Sequence, residues 1–378
     1  MFMEMAENNT KSSLGTIAMG VRLPLIREND DIVTIIYNSI INSSIESGFA
    51  LNDNDIIAIT ESLVARAFGN YVTVDDIADD ITHKFGVNSV IGVYCPIFSR
   101  NRFSLILKGI ARAAKEVVLF FPNNGIDEVG NEVLNPYTNI DIESYYKNLV
   151  EEENCLCQIS YVNTKCPDLG DGLDGLIVST IHTRQSDYEY LIKKVRGGIK
   201  IYKLDDICSV KLHENWGYNK EFGVLGSNKA GKELLKLFPK RADCESVCKD
   251  VQRCFKDLRN VDVHVMVYGD GAFKDPVSGI WEFADPVVSP YFTDELNGTP
   301  NEVKIKYLLD SEANFSDAGV LDEIKRGVNG DAPNTIRMGT TPRHYPDLIG
   351  SLSDLISGSG DKGTPVVWIK NYFKKYCD

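Results

Sequence analysis

Four carboxylates, Asp270, Asp275, Glu282 and Asp285, sit among three glycines and three prolines in YGDGAFKDPVSGIWEFADPVVSP (268–290), directly after the apolar-rich run VDVHVMV. Carboxylates gathered where a strand ends suit Mg²⁺ or Mn²⁺, because those hard cations prefer oxygen ligands and often bridge to substrate phosphates. A second loop of glycines and acids, NNGIDEVGN (123–131), follows the apolar run EVVLFFP. A third glycine-rich loop, SGSGDKGTP (357–365), can turn successive backbone N–H groups toward an anion without side-chain interference. Arg100 and Arg102 of SRNRFS (99–104) precede a helix, where guanidinium groups could clamp a carboxylate or phosphate in bidentate fashion.

Other chemistries find little support. GSNKAGK (226–232) has the glycine and lysine spacing of a phosphate-binding P-loop, but Glu233 stands where a Ser or Thr hydroxyl should meet magnesium, and an acid there would repel phosphates. The five histidines are scattered without HxH or HxxxH spacing, and no GxSxG nucleophile elbow occurs. Nine cysteines lack the paired two-residue spacing of a zinc site and read as small buried apolar groups in a reducing cytoplasm.

The elements that must position these groups alternate in type. The strand expected over Ile56–Thr60, the strands in NSVIGVYC (88–95) and EVVLFFP, and the helix over 103–115 predict a mixed α/β core. CQISYVN, GLIVSTI and IKIYKL read as strands of a smaller α/β unit, with a helical pattern in SDYEYLIKKVRGG. Helices are expected over 242–258, over NEVKIKYLLD (301–310) and over 346–357, with a polar, glycine-rich connector before the last of them and a final strand Val366–Ile369. A disordered tail is expected at 1–15, and the smaller α/β unit reads as inserted into the chain from about 137 to 215, with ENWGYNKEFGVLGSN (214–228) as its outer limit.

With 40 basic against 54 acidic residues the net charge is −14, and no lysine or arginine block offers a groove to nucleic acid or to an anionic membrane. The polar, acidic N-terminus has neither the basic start nor the apolar stretch of a signal peptide, and no segment approaches about 18 uninterrupted apolar residues.

Five segments in order, LPLIRENDDI (23–32), DIIAITESLVARAFG (55–69), GIDEVGN (125–131), the YGDGAFKDP loop and DLIGSLSDLISGSGDKGTPVV (347–367), resemble successive motifs of the coenzyme F420 gamma-glutamyl ligases. The resemblance covers about half the chain, at both ends, and implies a ligase-like core from 16–136 and 256–378, with 137–255 an inserted α/β segment similar to the insertion of a longer bacterial branch. It implies an α+β fold with a gamma-glutamyl-ligase-like core, an intertwined homodimer, GTP or ATP as co-substrate, and Mg²⁺ or Mn²⁺. Carried onto this sequence, it implies that Leu23, Pro24, Leu25 and Ile26 line the nucleotide base with Glu61, Ser62 and Arg66 nearby. Asp127 would bind the metal with Asn131 close by, Asp270 and Gly271 would complete that site, and Ser357, Gly358, Ser359, Gly360, Asp361, Lys362, Gly363 and Thr364 would wrap the phosphates. Arg66 stands where short archaeal members carry lysine, and Ser359 where they carry an acid, which makes Asp361 the substitute ligand.

The activity implied is amide formation between an acceptor carboxylate and L-glutamate or another amine through an acyl phosphate. Asp127, Asp270 and Arg66 would be the catalytic groups, and Arg100 and Arg102, by their position and outside the family motifs, are the candidates for holding a carboxylate of either substrate. A regulatory nucleotide-binding protein and a metal-dependent phosphohydrolase are the competing classes.

Overall fold

A computed structural model describes residues 14–98, 102–128, 130–134, 139–164, 167–195, 198–269, 289–300, 303, 305–306, 310, 317–328, 344–357 and 362–375. The 1–15 tail expectation, residues 14 and 15 apart, and most of the NEVKIKYLLD helix lie outside them.

A mixed five-stranded sheet runs in the order β1 (Ile17–Val21), β13 (Val366–Lys370), β2 (Ile56–Thr60), β11 (His264–Tyr268), β12 (Tyr291–Phe292). β2 and β11 are parallel, and the other pairings are antiparallel. All five residues of β2 are buried because the sheet is covered on both faces, which is why IIAIT reads as a continuous apolar run. Ile57 and Ile59 pack with α1 (Ile32–Ser47) and α7 (Arg241–Arg259), whereas Ile56 and Ala58 pack with Ile349 of α9 (Tyr345–Ser357). α1 starts behind Asp31, whose side chain accepts from Thr34 N at 3.1 Å and so satisfies an otherwise orphaned donor.

A second sheet is wholly parallel, in the order β6 (Leu156–Val162), β5 (Glu116–Pro122), β4 (Val90–Tyr94), β7 (Gly175–Val178), β8 (Lys200–Lys203). The chain winds outward from β4 in both directions. α3 (Val74–Phe85), α4 (Arg102–Ala113) and α5 (Ile142–Glu151) cover one face, and α6 (Arg184–Lys194) the other. Such doubly wound sheets leave a crevice beyond the carboxyl ends of the strands where the order reverses, here at β4.

Between the sheets, three short strands pair as β3 (Tyr71–Thr73), β10 (Leu234–Lys236), β9 (Asn228–Lys229). The described elements thus form the mixed α/β, α+β architecture expected. The sheets divide the chain elsewhere than at 136/137 and 255/256, however. β4 and β5 supply the middle of the parallel sheet, and α7 packs on the mixed one. The connector before α9 also contains a helix, α8 (Asp317–Val328), whose Val320 and Ile324 are buried. No helix among the described residues is long and apolar enough to cross a membrane.

His264, at the start of β11, is buried with Nε2 3.1 Å from Asn54 Oδ1, and burial pushes its pKa below the usual 6.5 against the opposing pull of Glu295 and Asp262. The unfolded chain therefore takes up this proton first. Its contribution to stability is complete above about pH 6.5 and is lost as the pH falls from there through the folded-state value. His264→Gln is expected to flatten that part of the curve, which thermal melts at about pH 7.5 and about pH 5.5 would show.

Candidate functional site

β2 ends in Thr60, whose hydroxyl accepts from Leu63 N at 3.4 Å and starts α2 (Glu61–Ala67). The turn brings together most of the described residues singled out for the nucleotide. Arg66 Nε donates to Ile26 O at 2.7 Å, tying the Leu23–Ile26 segment to α2. Leu23 N donates to Gly363 O at 3.2 Å, and Thr60 N to Pro365 O at 2.9 Å, so the end of the glycine loop closes on the same strand end. Thr364 Oγ1 spans the loop to Ser357 O at 3.0 Å. Lys362 opens the described return of this loop, whereas Gly358, Ser359, Gly360 and Asp361 lie outside the described residues.

β11 runs parallel to β2 with Tyr268 opposite Thr60, so the run leading to Asp270 ends beside the β2–α2 turn. Asp270 and Gly271 themselves are outside the described residues, as are Asp275, Glu282 and Asp285.

Glu61 is fully buried. Its Oε1 accepts from Lys236 Nζ at 3.1 Å and Asn228 Nδ2 at 3.4 Å. A cleft of about 340 Å³ opens beside it, lined by Ser62, Arg66, Tyr71, Asn228, Lys229, Ala230 and Lys236. Gly217 N donates to Tyr71 O at 3.0 Å, and a Cβ at Gly217 would stand 2.3 Å from that oxygen, so only glycine permits this backbone approach to β3.

Asp127 and Asn131 lie at the carboxyl end of β5, in the parallel sheet. Asp127 is 9% exposed, and its Oδ1 and Oδ2 accept from Asn131 N at 2.8 Å and Nδ2 at 2.9 Å. Asp127 thus presents a fixed, buried carboxylate, the oxygen chemistry that a divalent cation takes. Among the described residues no group of three or more His, Cys, Asp or Glu side chains gathers as a metal site. Arg102 is the first residue of α4, at the end of the segment that follows β4, and Arg100 lies outside the described residues.

Glu128 was not singled out by its sequence context. Its Oε1 accepts from Ile181 N at 2.6 Å and His182 N at 3.1 Å, and its Oε2 from Thr183 N at 3.4 Å and Thr183 Oγ1 at 3.0 Å. This carboxylate fastens the loop after β5 to the segment after β7, across the carboxyl end of β4. A carboxylate at the start of α6 also meets the favourable end of the helix dipole.

The described cysteines are free thiols, and burial pushes Cys95 up to about 12, Cys155 to about 11 and Cys157 to about 12. Thiols so held are protonated near neutral pH and are packing groups rather than nucleophiles.

An α+β chain in which the segment after β1 and the return of the glycine loop meet at the β2–α2 turn is compatible with many activities, so the class comes from comparison. Residues 20–371 match the model of a ligase family, which makes the protein an enzyme of the ligase class. That family is described as F420-0:gamma-glutamyl ligase, and with nearly the whole chain matched the protein belongs to it. No curated protein matches the chain.

Proposed function

We propose that the protein is a nucleotide- and divalent-metal-dependent carboxylate–amine ligase that adds L-glutamate or another amine to an acceptor carboxylate, with GTP or ATP as co-substrate. The observation that carries this reading is the cationic cleft at the β2–α2 turn, where Arg66 and Lys236 meet Ser62 next to the Leu23–Ile26 segment and the Gly363 loop end.

Amide formation needs a better leaving group than oxide. An acceptor carboxylate oxygen attacks the γ-phosphorus, the P–O bond to the nucleoside diphosphate breaks, and an acyl phosphate forms. The amine then attacks the acyl carbon, inorganic phosphate leaves and the nitrogen loses its proton. Among the described residues Arg66 uses only Nε internally, leaving its terminal N–H groups for phosphate oxygens on which negative charge accumulates. Ser62 offers a hydroxyl to the same cleft. Mg²⁺ or Mn²⁺, held by Asp127 together with Asp270 and Asp361, would neutralise phosphate charge when bound. Arg100 and Arg102 are the proposed holders of a substrate carboxylate.

The test is phosphate release by the purified protein given GTP or ATP, Mn²⁺, L-glutamate and a small-molecule cell extract. Release that needs both the amine and the extract supports the ligase. Release without amine would replace it with a phosphohydrolase, and binding without turnover with a regulatory protein. Arg66→Met is expected to lower kcat/KM for the nucleotide about 100-fold, the size of effect seen when one charge-stabilising donor is removed.

A further inference from the structure

The GSNKAGK segment lacks the strand–loop–helix context of a P-loop. It forms a β-hairpin, β9 running into β10, in which Lys236 is opposite Asn228 on one side and Tyr71 of β3 on the other. Residues directly opposite in antiparallel strands share a face. Asn228, Lys236 and Tyr71 therefore form one row, and Asn228 and Lys236 both reach Glu61 of α2 across it.

The acid that argues against phosphate binding is occupied elsewhere. Glu233 Oε1 accepts from Lys108 Nζ at 2.7 Å and Arg112 Nη2 at 3.3 Å, and these two cations, Lys108 first, hold its carboxyl below the usual carboxylate range. Glu233 thus belongs to an ion-pair cluster on α4. Among the described residues, the cleft on the other side of the hairpin is lined by three cationic residues, Arg66, Lys229 and Lys236, and by no carboxylate, with Glu61 buried against Lys236. Among the described residues, three cations against one buried carboxylate leave a local surplus of positive charge in a chain of net charge −14. Such a reversal of sign attracts an anion. The cleft volume of about 340 Å³ admits a small polyanion rather than a macromolecule.

We propose that the β9–β10 hairpin is the second wall of an oxyanion site, in which Lys229, Lys236 and Asn228 act with Arg66 and Ser62 on a multiply charged small molecule. The chemistry is shared by the phosphates of the nucleotide and the carboxylates of the amine substrate. The inference deepens the ligase reading and rests on it for its choice of ligands.

The experiment is isothermal titration of the full chain and of Lys229→Gln with pyrophosphate, GTP and L-glutamate. Lys229 is exposed and makes no ion pair among the described residues, so its replacement leaves the fold intact. Loss of one charge contact is expected to weaken at least one probe about tenfold, while Lys193→Gln, equally exposed on α6 at the opposite face of the parallel sheet, changes none. Weakening of pyrophosphate and GTP identifies the phosphates, and weakening of L-glutamate alone identifies the amine. Because Lys236 is buried, Glu61→Gln/Lys236→Gln tests it without stranding a charge, and the same loss is expected. Unchanged affinity for all three probes in both variants, or no binding by the parent chain, overturns the site. If the ligase reading alone fails, the parent releases no phosphate but the variants still lose pyrophosphate affinity.

Discussion

Lys370→Met is expected to destabilise the folded chain by about 3–5 kcal/mol, the cost of removing one member of a buried ion pair and leaving the other charge uncompensated. Lys370 and Asp55 have side chains 5% and 3% exposed, with Nζ 2.7 Å from Oδ2. The same oxygen accepts from Trp368 Nε1 at 2.9 Å and Asn52 N at 3.0 Å, while Lys370 Nζ also donates to Ala50 O at 2.5 Å. These bonds satisfy both charges and join the last residue of β13 to the residue preceding β2, the central strand. Asp55→Asn/Lys370→Met removes both charges and keeps an acceptor for Trp368, so the double variant should recover most of the loss. Urea unfolding of the parent and the two variants measures both quantities. A loss below about 1 kcal/mol for Lys370→Met, the range of an exposed pair, would show that water reaches this network.

Legibility in the sequence followed burial. β2 and β5 match the apolar runs IIAIT and EVVLFFP because both strands lie inside their sheets, and α4 follows its apolar stripe because that face packs in the parallel-sheet core. The extent of the parallel sheet was hidden. β6 and β8 are edge strands with exposed positions, so they differ in composition from β4 and β5, and the shift near 137 suggested a separate unit although the strands hydrogen-bond in one sheet. β3, β9 and β10, of three, two and three residues, are too short to show a period.

For the site, the residues alone marked strand ends. The convergence of Leu23, Arg66 and Gly363 came only with the family resemblance, because the contacts joining them span up to 340 positions by the numbers 23 and 363. The cationic wall is hidden in the sequence because GSNKAGK has the spacing of a P-loop but folds as part of a hairpin. The pairing of Asn228 with Lys236 depends on hairpin register, and their contacts with Glu61 cross 167 and 175 positions.

Asp127→Ala is expected to lower turnover by about 100- to 1,000-fold, corresponding to several kcal/mol of lost charge stabilisation by a divalent cation, and to raise the Mn²⁺ concentration needed for half-maximal rate. The Asp127 carboxylate accepts from Asn131 N and Nδ2, both buried, so Asp127→Ala also strands two donors, at a cost of about 1–3 kcal/mol in stability. Its neighbour supplies the contrast. Glu128 accepts four hydrogen bonds from the start of α6 and its flank, and Glu128→Ala leaves those donors without their carboxylate, at a cost of about 1–3 kcal/mol in stability. The two variants should therefore separate. Both variants are expected to melt lower than the parent, but only Asp127→Ala loses turnover with a raised Mn²⁺ requirement, whereas Glu128→Ala keeps more activity below its own melting temperature. Parallel melts and Mn²⁺ titrations of phosphate release distinguish them. Equal losses of turnover in the two variants, without a change in Mn²⁺ dependence for Asp127→Ala, would mean that the loop acts by its shape and that Asp127 holds no cation.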